Sequence, residues 1–507
     1  MGTENVSERT GDLGKDDPMA KMKKLTLLHS NDLHGDFLAT ENNGVLAGGV
    51  SRLSGYVQKV RREEKNVIYA IAGDMLRGSV IDREYKGIST IEIMNLLAPD
   101  VVTIGNHEAD YGVSHLLFLE KCASFPIINA NLYIKTNGVR LFRSYYVKKI
   151  DGMKLLFIGI LTEDVLAQTQ MDEVLGTLID VKEAAQEVGR ICDAYRNTDI
   201  DFTVLLTHIG ISADRELAAA LDPRWGVDMI IGGHSHTLME RPEVINGIPI
   251  VQAACGTKQI GRFDIQINVD KNCIDSYEWQ LIPIDEDHCP RDYALEELVE
   301  HYHTETDRKY ARIVTRFMDC YTHPSRYCET MLSHLFADLF REGAGVDLML
   351  LATGSIRSEQ LGPIVTYRAL TEAFPFDDVL YRVKLTGEQL KRIFLYIMRE
   401  EAFDESLHSE FYQISEDWKV VVSRKMNAVI SATYNGCEIE DDAVFSVGIQ
   451  QYHMNNSMKV FGIAPEELLK IEEPKVLATS CCSACGEWMG RKDLYKVDQE
   501  PRMIVEE

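Results

Sequence analysis

Short apolar runs alternate with polar clusters through the first half of the chain. Leu25–Leu28, Val67–Ala72, Val101–Ile104, Phe202–Leu206 and Met229–Ile231 are aliphatic, β-branched or aromatic throughout, which is the pattern of strands buried on both faces. Each run ends in polar residues. In order these are His29-Ser30-Asn31-Asp32-Leu33-His34-Gly35, Gly73-Asp74, Gly105-Asn106-His107-Glu108, Thr207-His208 and Gly232-Gly233-His234-Ser235-His236. Between the runs, Ser51–Glu64 and Val181–Arg196 carry helical spacing. Strands alternating with helices predict an α/β domain, and such domains collect functional groups in the loops beyond their strand ends.

The second half has a different rhythm. A helical run to Phe340 follows Ser325–Leu332, Val346–Leu351 reads as a strand, and Phe374-Pro375-Phe376-Asp377-Asp378 precedes a strand over Val379–Leu385. Single cores stop growing beyond roughly 250–300 residues, so a chain of 507 predicts two domains. The polar stretch Asp285–Arg291 and the charged helical stretch Ala294–Ile313 mark the join. The expected organisation is a polar, disordered tail over 1–23, an α/β domain over 24–290, a linker helix over 291–313 and an α+β domain over 314–507.

A net charge of -26 argues against a basic surface for nucleic-acid polymers, so a phosphorylated substrate must be held by local cations, metals or placed arginines. Residues 1–23 lack the apolar stretch of a signal peptide, and no apolar run is long enough to span a membrane. The expectation is a cytoplasmic protein with no membrane association. Eleven irregularly spaced cysteines do not form a secreted disulfide framework. Cys481, Cys482 and Cys485 read as free thiols at a helix start, since a closed zinc site takes four ligands.

One histidine, Asp or Asn after a strand is usually a turn residue or a helix cap. Five such clusters in this order are harder to explain that way. Together they offer Asp32, His34, Asp74, Asn106, His208, His234 and His236. Mixed carboxylate, amide and imidazole ligands suit two divalent ions such as Mn, Zn, Co or Mg. A pair of ions lowers the pKa of a shared water and clamps the oxygens of an in-line displacement at phosphorus.

This motif set resembles the calcineurin-like metallophosphoesterase superfamily. Its variants Ser30-Asn31-Asp32-Leu33-His34-Gly35, Gly105-Asn106-His107-Glu108-Ala109-Asp110 and Gly232-Gly233-His234-Ser235-His236-Thr237 are similar to the 5′-nucleotidase branch, the bifunctional UDP-sugar hydrolase/5′-nucleotidase type. The resemblance implies a four-layer β-sandwich flanked by helices, followed by an α+β 5′-nucleotidase domain. It implies that Asp32, His34 and His236 hold one metal, that Asn106, His208 and His234 hold the other, and that Asp74 bridges them. His107, oriented by Asp110, would donate a proton or stabilise charge on the leaving side. The implied reaction is release of phosphate from nucleoside 5′-monophosphates by a metal-activated hydroxide. The same metal site would also serve a 2′,3′-cyclic phosphodiesterase, a nucleotide-sugar hydrolase or another small-metabolite phosphatase. The resemblance further implies a monomer or weak dimer, closing by rotation about the linker helix.

In the second half the resemblance implies that Arg326 and Arg357 bind phosphate, that Gly354 lets backbone approach the ligand, and that Phe376 and Tyr452 sandwich the base. Three positions depart from the family pattern: Ala352 and Asp378 replace asparagines, and Met454-Asn455-Asn456-Ser457-Met458 replaces a glycine-rich segment. Asp378 only accepts hydrogen bonds, so facing a base it would favour one with paired donors, such as guanine.

Overall fold

The computed structural model describes residues 3–4, 21–42, 45–162, 175–177, 181–403, 411–492, 495–498 and 500–506. Of the predicted tail, Thr3–Glu4 pairs antiparallel with Glu278 and Tyr277, and the strand Met22–Ser30 takes the last two residues. The rest of the tail lies outside the described residues, apart from Lys21. The chain divides into two compact units, residues 1–306 and 307–507. The division falls inside the helix Tyr293–Tyr310, within the stretch predicted to connect two domains.

The first unit holds a seven-stranded and a six-stranded sheet. In one, Met22–Ser30, Val67–Ala72, Val101–Thr103 and Ile127–Ile128 run parallel. In the other, Met153–Leu161, Phe202–His208, Met229–Ile231 and Ile248–Val251 run parallel. Side chains alternate across each strand, so each apolar run feeds two cores. Leu25, Leu27, Ile68, Ala70, Phe157, Val204 and Ile231 meet in a core between the sheets. Leu28, Tyr69 and Ile71 face outward onto a second core built with the helices Val50–Glu63, Ile88–Leu97 and Val113–Cys122. Leu156, Leu205 and Ile230 face a third, covered by Val181–Ala194 and Ile211–Ala220. The result is helix, sheet, sheet, helix: the four layers implied by the resemblance. Parallel strands deliver their C-terminal ends to one edge, and both sheets place their polar loops there.

An imidazole sits inside the inter-sheet core. His29 is fully buried, stacks on Trp279 at 5.5 Å and 17°, and has no hydrogen-bond partner on either ring nitrogen. Gly261 opposite makes room, since a Cβ there would overlap the imidazole. Burial pushes the His29 pKa down to about 3. The unfolded chain therefore binds a proton below about 6.5 that the folded chain refuses, and stability is lost as pH falls from there. At pH 5 the loss amounts to about 2 kcal/mol. His29→Leu is expected to flatten the pH 7 to pH 5 dependence of unfolding. Hydrogen exchange of the Met22–Ser30 amides would read this, and an unchanged slope would contradict it.

The second unit is α+β. Its five-stranded sheet runs in the order Tyr412–Ile414, Leu348–Ala352, Val444–Gln450, Leu380–Thr386, Lys475–Ala478. A four-stranded sheet joins Cys437–Glu438, Ala428–Tyr434, Trp418–Ser423 and Met503–Glu506. The helix Gly387–Ile397 contributes to the core that these sheets share, around Trp418, Phe394 and Val447. The helices Met331–Ala344 and Cys481–Met489 pack on another core with Phe336, Phe374 and Trp488. Cys481 and Cys485 are free thiols one turn apart in that core, and burial raises both thiol pKa values far above the usual range. Among the described residues, no helix is long and apolar enough to cross a membrane.

Candidate metal centre

The loops after the strands Met22–Ser30 and Val67–Ala72 pair by backbone hydrogen bonds. Asp32 N donates to Gly73 O at 3.0 Å, His34 N to Asp74 O at 2.9 Å and Gly35 N to Met75 O at 3.0 Å. Five of the seven expected ligands adopt the left-handed backbone region: Asp32 (φ 51°), His34 (48°), Asp74 (53°), His234 (78°) and His236 (51°). Non-glycine residues rarely sit there, and each such residue costs on the order of 1–3 kcal/mol unless its surroundings enforce it. Here the enforcement is visible. Asn31 accepts from Ala253 N and donates to Ala254 O and to the Asp32 carboxylate. A Cβ at Gly105 would collide with the Asp74 carboxylate.

The ligand atoms converge. Asp32 Oδ1 lies 3.3 Å from His236 Nε2, and His236 Nε2 lies 3.0 Å from His34 Nε2. Asp74 Oδ2 lies 3.8 Å from His34 Nε2 on one side and 3.1 Å from His208 Nε2 on the other. Asn106 Oδ1 and His234 Nδ1 are 3.0 Å apart, and the His208 and His234 rings are 5.2 Å apart. Asp32, His34 and His236 form one group able to hold an ion, and Asp32, Asp74 and His208 form another.

Hydrogen bonds outside the cluster set the imidazole tautomers. His34 Nδ1 donates to Arg77 O at 3.1 Å, and His208 Nδ1 donates to Ala72 O at 2.8 Å. Both leave an Nε2 lone pair pointing inward, as a metal ligand requires. His208 Nε2 is fully buried without a hydrogen-bond partner. Burial alone would strip His208 of its proton, yet the Asp74 and Asp32 carboxylates raise its pKa to about 9. The Asp74 carboxyl is held at about 2 by the charges of His208 and His107, against the effect of burial. This corner demands positive charge, and a divalent ion meets the demand while leaving the imidazole neutral. The donor set therefore fits divalent metals.

His107 projects beside this group, its ring 5.4 Å from that of His34. Its Nδ1 is 2.7 Å from Asp110 Oδ2, and its backbone N donates to Asp74 Oδ1 at 2.9 Å. The bond to Asp110 is the main reason its pKa is raised.

Three supporting residues went unassigned in the sequence. Glu108 is buried and accepts from the backbone N–H groups of Asp74, Met75, Leu76 and Gly105. It knits two ligand loops together, and burial raises its pKa to about 7. Gln252 donates to Gly233 O and Asp214 and accepts from Thr237 N and Ser235 Oγ, holding the loop of His234 and His236. Its signal was present, because Ile248–Val251 is another apolar run ending in a polar residue. Arg77 pairs through Nη1 with Asp110 Oδ2, and nothing in the sequence marked it.

In the second unit, four contacts link the segments expected to bind substrate. Thr353 Oγ1 donates to Arg326 O, Ser355 Oγ to Gln450 Oε1, the Arg357 guanidinium lies 5.0 Å over the Phe376 ring, and Tyr452 N donates to Asp378 Oδ2 at 2.8 Å. Gly354 sits between Thr353 and Ser355 in a buried turn. Phe376 and Tyr452 are 40% and 52% exposed. Asp378, the carboxylate expected to face a base, also braces the backbone. Both oxygens accept backbone N–H groups, Oδ1 from Val379 and Oδ2 from Tyr452, which makes it an anchor between the Phe376 and Tyr452 segments.

The calcineurin-like phosphoesterase family model matches residues 25–238, and the model of the 5′-nucleotidase C-terminal domain matches residues 304–462. The 5′-nucleotidase of Mus musculus is 25% identical over 517 aligned positions, covering 89% of this chain and 86% of that protein. Among solved structures, a 5′-nucleotidase precursor of Thermus thermophilus matches with TM-score 0.59 at 22% identity, covering 95% of this chain and 99% of that one. The NAD nucleotidase of Haemophilus influenzae matches with TM-score 0.57 at 18% identity, covering 96% and 100%. At these identities the two structures speak to the fold.

Proposed function

We propose that this chain, which belongs to the calcineurin-like phosphoesterases that carry a 5′-nucleotidase C-terminal domain and is a metal-dependent phosphoester hydrolase, acts as a 5′-nucleotidase with two divalent ions. The observation that carries the two-ion reading is Asp74, whose Oδ2 has His34 Nε2 on one side and His208 Nε2 on the other. Asp32, His34 and His236 would hold one ion; Asn106, His208 and His234 would hold the second; Asp74 would serve both. When bound, the ions supply Lewis-acid polarisation of the phosphate and a water acidic enough to react at neutral pH.

The chain's own residues do the rest. Glu108 and Gln252 hold the ligand loops in place before substrate arrives. His107 keeps a proton through Asp110 and gives it from Nε2 to the departing nucleoside oxygen. In the second unit, Arg326 and Arg357 would offer paired N–H donors to a phosphate, with Gly354 as the glycine of the turn between them. Phe376 and Tyr452 stack on the base, which suits any nucleobase. The buried free thiols Cys192, Cys289, Cys481 and Cys485 support work in a reducing compartment, the cytoplasm.

Inorganic phosphate release should be measured from nucleoside 5′-monophosphates, and the organic products separated and identified for 2′,3′-cyclic nucleotides and nucleotide sugars, whose hydrolysis frees no phosphate, each with Mn, Mg, Co or Zn and with chelator. Chelator-sensitive release from the 5′-monophosphates is expected. Activity confined to the cyclic or sugar substrates would refute the nucleotidase reading while keeping the metal chemistry.

A further inference from the structure

The turn after the Asp74 loop carries an arginine where neither turn nor helix cap calls for one. Arg77 adopts φ 62°, and Gly78 follows at φ 143°, where a Cβ would run into His34 O. The Arg77 backbone is fixed at both ends. Its N–H donates to Asp82 Oδ2 at 2.9 Å, and its carbonyl accepts from His34 Nδ1 at 3.1 Å. Asp82 is fully buried and also accepts from Tyr111 Oη at 2.8 Å and from Thr90 Oγ1. Its backbone N is capped by Ser79 at 3.0 Å. From this rigid base the Arg77 side chain, 59% exposed, reaches a carboxylate that is only 6% exposed, that of Asp110.

The atom it reaches matters. Arg77 Nη1 donates to Asp110 Oδ2, the same oxygen that takes His107 Nδ1 at 2.7 Å. Asp110 ends a single short turn, His107–Ala109. One bond to a neighbour three residues away leaves a carboxylate free to rotate with that neighbour. A second donor from another loop removes this freedom, and a planar guanidinium fixes direction better than an ammonium would.

We propose that Arg77 is a positioning residue for the reaction: it locks the Asp110 carboxylate so that His107 keeps one orientation toward the leaving group. This rests on the reading of His107 as the proton donor. The contact joins the metal loop to the proton donor, because the residue that sets the His34 tautomer with its carbonyl steadies His107 with its side chain.

The test uses the metal-loaded full chain with Arg77→Ala, Asp110→Asn and the double variant, on a nucleoside monophosphate and on p-nitrophenyl phosphate, whose leaving group needs no proton. Arg77→Ala is expected to lower kcat on the nucleotide by about tenfold to a hundredfold, with KM within about twofold and p-nitrophenyl phosphate turnover nearly intact. Added guanidinium should restore part of the loss, and Arg77→Ala should add almost nothing in the Asp110→Asn background. Metal content should be unchanged, since the carbonyl that holds His34 remains. Additive losses in the double variant, or equal loss on both substrates without guanidinium rescue, would overturn the role of Arg77. A fully active His107→Ala enzyme would instead overturn the proton-donor reading on which it rests.

Discussion

Asp74→Asn is expected to lose phosphate release by roughly 10³-fold or more, equivalent to about 4 kcal/mol of barrier, and to lose bound metal with it. The substitution is nearly isosteric. Asparagine tolerates the left-handed backbone at this position, φ 53°, and its carbonyl can still accept from His107 N. What disappears is the negative charge facing His34 and His208, where the remaining Asp32 carboxylate lies 3.8 Å from His208 Nε2. Metal analysis of the purified protein beside phosphate release would settle the matter. A folded Asp74→Asn protein that kept two ions and full turnover would refute a shared role for this carboxylate.

The second large effect is expected at His107. Its removal to alanine should lower kcat by about 10²–10⁴, the usual range for a positioned acid, with metal content intact. The imidazole is tied through Nδ1 to Asp110, and on the proposed reading it places a proton and holds no ion. Because its pKa is raised above 6.5, the proton persists to higher pH than on a free imidazole. Turnover should fall as pH climbs through that raised value, and the alanine variant should lack this limb. Metal loss in His107→Ala would instead make it a ligand, a role its proximity to His34 and Asp74 would permit.

That the seven candidate residues would gather was legible because each follows an apolar run, and strand ends in α/β folds face a common edge. The partition of those runs into faces was not. Leu27 and Leu28 are equally apolar, yet one packs between the sheets and the other under helices. A strand buried on both faces carries no alternation from which to read this. Glu108 escaped assignment for another reason. It sits inside a quoted motif, but its partners at 74–76 lie more than thirty residues away and are backbone groups, which have no residue-type signature. Asp378 shows the converse case: its departure from the family pattern drew attention to base selection, while its bonds to the backbone N–H groups of Val379 and Tyr452 left no trace in the sequence. The charge of Ala294–Ile313 announced an exposed helix, but where along it one unit ends depends on contacts that charge does not encode.

The clamp of Glu108 on four backbone amides bears on how the protein acquires its ions. In small zinc-binding modules the ligands are scattered until the ion arrives, and metal binding is coupled to folding. Here the ligand loops are pinned by protein–protein hydrogen bonds and two stacked sheets. Such loops would keep their places without help from an ion. A chelator would then act as a reversible inhibitor rather than a denaturant, and exchange of one divalent ion for another would proceed on a scaffold that does not have to refold.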